Sequence, residues 1–103
     1  MHRGVAVTGM GIISSIGNTV GENFQSLIDR KHGISRIEKI ETIHKNTIMV
    51  GEIDMSNEEL IDFLNLPDSN NYSRTALLAE VAVKEAVRSA EISQIDSCRT
   101  GLI

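Results

Sequence analysis

A chain of 103 residues holds one domain at most, and at that size folding removes only about two-thirds of the surface that the unfolded chain exposes, so the core is small. Hydrophobic residues at 41% and charged residues at 23% argue against a disordered chain, and a formal charge of −4 without a basic face argues against a nucleic-acid binder. Aromatics are only 3%, Phe24, Phe63 and Tyr72, which are few large anchors for a free-standing domain and point to a core completed by further polypeptide. A single cysteine, Cys98, rules out an internal disulfide and fits a reducing cytoplasm. The opening Met1-His2-Arg3-Gly4 does not read as a signal peptide, and no apolar stretch approaches the roughly 20 residues that span a bilayer.

In chain order, Val5-Ala6-Val7 is an unbroken apolar run stopped by Gly9 and Gly11, the pattern of a strand buried on both faces. That predicts an α/β fold with this strand near the middle of a sheet and helices on both sides. The loop from Gly9 to Gly17 is too apolar to lie wholly on the surface, so it packs against other backbone. Thr19 and Glu22 have capping-box spacing and open a helix expected from Val20 to Arg30, with Phe24, Leu27 and Ile28 on one apolar face and Gly33 as its terminating glycine. Ile34, Ile37, Ile40 and Ile43 recur every three residues, a period that suits neither strand nor long helix and reads as an irregular surface segment clipped down by isoleucines. Ile48 to Ile53 is a second short strand, at a sheet edge given Gly51. Ser56 and Glu59 repeat the capping box ahead of a short acidic helix to about Leu64, and Pro67 and the polar run after it break the chain. From Arg74 to Glu91, Leu77, Leu78, Val81, Ala82, Ala86, Val87 and Ala90 form a broad stripe at helical spacing, with Glu80, Lys84, Glu85, Arg88 and Glu91 outside it. Its many alanines suit close approach to a neighbour. Arg99 to Ile103 reads as the start of another buried strand, which the chain does not complete.

Few residues offer chemistry. Cys98, in Asp96-Ser97-Cys98-Arg99, precedes a strand and has no histidine near it in sequence; Arg99 would lower its pKa, which leaves a reactive thiol open beside the plainer reading of a loop cysteine. His2, His32 and His44 lack metal-site spacing and read as surface or helix-end residues. Gly9-x-Gly11 after a strand suggests a dinucleotide turn, but the third glycine position holds Ser14 and the helix starts late, so a packing role is favoured. Glu58 and Glu59 are consecutive on a helix and point apart, so they complement its dipole rather than form a catalytic pair.

Taken together, Val5-Ala6-Val7-Thr8-Gly9-Met10-Gly11, Ser15-Ile16-Gly17-Asn18, the helix ending in Leu27-Ile28-Asp29-Arg30-Lys31-His32-Gly33-Ile34, and Ser73-Arg74 leading into an alanine-rich helix resemble the N-terminus of a β-ketoacyl-acyl-carrier-protein synthase. The likeness runs through essentially the whole chain in order. Phe24 stands where that family often has tryptophan, and Ser73-Arg74 replaces a common Asp-Arg. The resemblance implies an incomplete thiolase-like fold, with residues 1–103 forming part of the N-terminal domain of an enzyme several times longer. It also implies a cytoplasmic homodimer that condenses an acyl thioester with malonyl-acyl-carrier protein in fatty-acid or polyketide synthesis. Such enzymes use a cysteine nucleophile and two histidines. None of those motif positions falls in this sequence, so the resemblance implies no catalytic, cofactor-binding or metal-binding residue here, with acyl-carrier protein met only through the longer enzyme. A truncated, non-catalytic relative that binds a partner is the alternative, and a nucleotide-binding α/β module is a third.

Overall fold

The computed structural model describes residues 3–68, 70–95 and 99–101. Within them the order is helix α1 (Val20–Ile28), strand β1 (Ile34–Arg36), strand β2 (Met49–Gly51), helix α2 (Asn57–Leu64) and helix α3 (Arg74–Ser89). The chain is therefore α/β in content, with one two-stranded antiparallel sheet in which Ile34 faces Gly51 and Arg36 faces Met49.

The core lies between α2 and α3. Leu60 and Leu77 are fully buried, Leu64 and Val81 nearly so, and Ile13, Met55, Ile61, Leu66 and Leu78 pack around them. Burying such side chains contributes about 1.5–3 kcal/mol each, which makes this helix pair the main apolar contribution to the fold. Polar contacts then fix its angle. The Arg74 guanidinium at the start of α3 donates to the carbonyls of Ile53 and Met55 and to Asn57 Oδ1, at 2.9–3.0 Å, and Lys84 Nζ donates to the last-turn carbonyl of Leu64 in α2.

Helix starts follow their caps. Ser56 and Glu59 form the full box, and Ser73 Oγ accepts from the Ala76 N–H, so serine caps α3 as the aspartate common in the resembling family would. At α1, Thr19 Oγ1 accepts from the Glu22 N–H as expected, but the Glu22 carboxylate reaches past Thr19 to the Asn18 N–H at 2.6 Å. All three helices close with paired 6→1 and 5→2 bonds around a left-handed residue, and those residues are Arg30, Asn65 and Glu91. Gly33 is thus not the glycine that ends α1. Its lack of a side chain serves a different end, since a Cβ there would run into Ser15.

Three expectations need correction. Residues 34–36 are a strand, because the segment finds a partner in β2; of the isoleucine series only Ile37 is buried, while Ile43 is 92% exposed. Val5-Ala6-Val7 is not in a strand, and Val5 and Val7 are 97% and 80% exposed. A strand needs a neighbour for its N–H and C=O groups, and among the described residues the only paired strands are β1 and β2, which pair with each other. Phe24, Leu27 and Ile28, finally, are a coherent apolar face but an uncovered one, and α1 buries Asn23 and Ser26 instead.

Candidate functional site

The best-defined junction in the chain is where residues 9–20 meet α1 and α3. Gly9 and Gly11 lie on the backbone of α3. A Cβ at Gly11 would meet the Ala82 carbonyl and stand 2.8 Å from the Ala86 nitrogen, and one at Gly9 would stand 2.5 Å from the Ala90 nitrogen. The alanines spaced at 82, 86 and 90 leave the groove that this approach needs. Glu85, one residue from that groove, extends its half-buried carboxylate across it: Oε2 accepts from the Ile12 N–H at 2.9 Å and Oε1 from the Val20 N–H at 2.8 Å. One carboxylate thereby ties the loop, the first turn of α1 and α3 together.

The turn between them is held by buried polar groups. Ser14 and Gly17 form a backbone bridge, Asn23 Nδ2 donates to the carbonyls of Gly17 and Thr19, the Ser14 hydroxyl donates to Asn23 Oδ1, and Ser26 Oγ donates to the Ile16 carbonyl at 2.6 Å. Every buried polar side-chain atom among the described residues has a partner. Above this polar seat opens an apolar recess of about 550 Å³ walled by Met10, Ile12, Val20, Phe24, Leu27 and Ala86. Val5, Val7 and Ile28 are exposed as well, which adds to the apolar surface this chain leaves open.

The arrangement does not suit a phosphate. The glycines face a helix side rather than a helix N-terminus, and at the N-terminus of α1 a carboxylate already accepts from the Val20 N–H. The packing role expected of Gly9 and Gly11 is the one observed. Of the other candidates, His2 and Cys98 lie outside the described residues. His32 Nδ1 accepts from the Ile34 N–H at 3.3 Å, and the His44 carbonyl accepts from Thr47 and Ile48 in a surface turn. Among the described residues no three His, Cys, Asp or Glu side chains could hold a metal ion. Glu59 works as a cap: the Ser56 N–H is the largest influence on it, outweighs a slight desolvation and, with the Lys39 charge and the Ser56 hydroxyl, holds its carboxyl below the usual value. Glu58 is exposed in the same first turn.

Sequence reasoning missed the residues that organise this junction. Glu85 falls outside the apolar stripe of α3 and reads as a solvent-facing charge, and Asn23 and Ser26 carry no pattern that singles them out. The available signal was the alanine series beside Glu85: a groove that admits backbone brings unpaired N–H groups with it, and an adjacent carboxylate can accept from them.

The family profile described as beta-ketoacyl synthase, N-terminal domain, matches residues 2–103. The 3-oxoacyl-[acyl-carrier-protein] synthase 2 of Staphylococcus aureus strain N315 is 30% identical over 96 residues, covering 93% of this chain and 23% of that protein. The 3-oxoacyl-[acyl-carrier-protein] synthase 1 of Haemophilus influenzae is 32% identical over 106 residues, covering 98% of this chain and 25% of that protein. The chain thus spans about a quarter of the length of these relatives. No solved structure matches it. No helix among the described residues is long and apolar enough to cross a membrane.

Proposed function

The chain belongs to the β-ketoacyl synthase family, matching its N-terminal domain, and on that premise we propose that it is the N-terminal structural portion of a 3-oxoacyl-acyl-carrier-protein synthase. In this reading the longer enzyme condenses an acyl thioester with malonyl-acyl-carrier protein in fatty-acid or polyketide synthesis, as a cytoplasmic homodimer with a thiolase-like fold. These residues supply scaffold and no catalytic side chain.

The observation that carries the reading is the uncovered apolar surface. Val5 and Val7 have the composition of an interior strand and lie open, and the recess over the glycine loop and α1 is lined mainly by apolar side chains, with Asn23 also in its lining. Both features are what an interior layer looks like when the layers on either side are absent. The polar seat around Asn23 and Glu85 supports the same view, because it places the glycine loop and α1 in a fixed relation before anything covers them. The same open face also favours the second reading, a non-catalytic relative that binds a partner chain.

The test is a condensation assay with an acyl thioester and radiolabelled malonyl-acyl-carrier protein. The chain alone should release no carbon dioxide and form no 3-oxoacyl product. Product formation by these 103 residues would place the catalytic groups among them and overturn the proposal.

A further inference from the structure

Three consecutive backbone N–H groups converge on one side chain. Glu52 Oε1 accepts from Glu38 at 2.9 Å and from Lys39 at 2.8 Å, and Oε2 accepts from Ile40 at 3.1 Å. Successive amides turned toward one point make an anion-binding concavity, and here the anion belongs to the chain itself. We propose that the Glu52 carboxylate is a latch that holds residues 38–48 against the sheet, and that it holds them only while ionised.

The geometry explains why the latch matters locally. Residues 38–48 connect β1 to β2, and on the near side Ile37 is buried, whereas Ile40 and Ile43 are largely exposed and give the segment little apolar anchorage. Its fixed points are therefore Ile37, the Lys39–Asp54 ion pair at 3.5 Å and the three bonds to Glu52. An ionised carboxylate is acceptor-only and matches three donors, whereas a protonated one brings a donor of its own to the concavity. The charged groups around Glu52 are Arg74 from α3, which attracts the carboxylate, and Glu38, Asp54 and His32, which line the same recess. Desolvation pushes the Glu52 carboxyl up, but the N–H bonds of Glu38, Lys39 and Ile40 with the Arg74 charge outweigh it, so the group lies below its ordinary value. With the folded value depressed, the latch is fully closed above the unfolded carboxylate range and opens as the pH falls through the folded value.

Backbone amide NMR of the unsubstituted chain from pH 7 to pH 2.5 tests this. The amide proton shifts of Glu38, Lys39 and Ile40 should move together with one midpoint below the ordinary carboxylate value. In Glu52→Gln that shared titration should vanish, and at pH 7 the three amides should exchange with solvent about tenfold faster, the effect of losing bonds to a charged acceptor. The Ser56 and Ile12 amides, which bond to Glu59 and Glu85, should keep the parent's behaviour and report that the fold survives. Three unrelated midpoints, no titration in the parent, or unchanged exchange in a folded Glu52→Gln would each overturn the proposal. If Glu52→Gln fails to fold, the parent titration decides.

Discussion

Replacing Gly11 by alanine adds a single methyl group at the point where the N-terminal loop lies on α3. That methyl would meet the Ala82 carbonyl oxygen, with the Ala86 nitrogen at 2.8 Å and the Ala82 carbonyl carbon at 2.9 Å. All three are helix backbone, which cannot swing aside as a side chain can, so either the loop lifts from α3 or the helix bends. Overpacking of this kind costs about 1–3 kcal/mol, equivalent to about 5- to 150-fold in local opening. The readout is amide hydrogen exchange at Ile12, whose N–H is held by Glu85 across the same contact. The control is Gly4→Ala, where an added Cβ has no atom within 4 Å and the φ is not positive, so its effect should be neutral or slightly stabilising. Ala82→Gly should not rescue Gly11→Ala, because the clash is with backbone and glycine within a helix costs up to about 1 kcal/mol more. Equal exchange at Ile12 in Gly11→Ala and Gly4→Ala would refute the contact between loop and helix.

Other expectations follow from the same structure. Glu85→Gln should weaken two bonds to a charged acceptor at once, speeding exchange at Ile12 and Val20 by about tenfold or more while leaving the Leu60 and Leu77 region protected. Leu60→Ala should cost about 2–5 kcal/mol, whereas Leu27→Ala, at a side chain 66% exposed, should cost under about 1 kcal/mol in urea denaturation; equal costs would mean that α1 is covered. Arg30→Gly and Glu91→Gly should each stabilise by about 0.5–1 kcal/mol, since each removes a Cβ from a left-handed position, and a lowered urea midpoint in both would count against those backbone conformations. For Glu59 the folded value is depressed, so its contribution is present above the usual carboxylate range and is lost as the pH falls through the folded value; Glu59→Gln should remove that acid response of α2, whereas Ser56→Ala, which keeps the backbone N–H at position 56, should leave most of it, both followed by the amide shifts of residues 56–60.

Much of the local structure was legible. Capping boxes and stripes are short-range patterns, and the helix expected from Ser56, the alanine-rich helix and the strand around Val50 all formed close to their expected bounds. A packing role for Gly9 and Gly11 and a close neighbour for the alanine stripe were each readable, though not that the two meet each other. What could not be read were relations between distant residues. Glu85 and Ile12 are far apart in sequence and no periodicity links them, and the three amides that meet at Glu52 come from a segment whose isoleucine spacing suggested no structure at all. The reading of Val5-Ala6-Val7 went astray for a physical reason: its residue types describe the environment it would occupy in a complete sheet, while its conformation depends on strands that must lie beside it. The exposed face of α1 is the same case. Its Phe24, Leu27 and Ile28 were identified as a face, but periodicity does not say whether a face is covered, and here all three lie open.

The most direct test of the central claim is the nucleotide sequence that follows the codon for Ile103 in the source. If the proposed function holds, the frame runs on for roughly three times the present length, in line with the quarter of the relatives that the chain covers, with the cysteine after a buried strand and the two later histidines that the family resemblance implies. A stop codon at that point would contradict it, remove condensation as the role of this polypeptide, and leave binding to a partner as the function of its open apolar face.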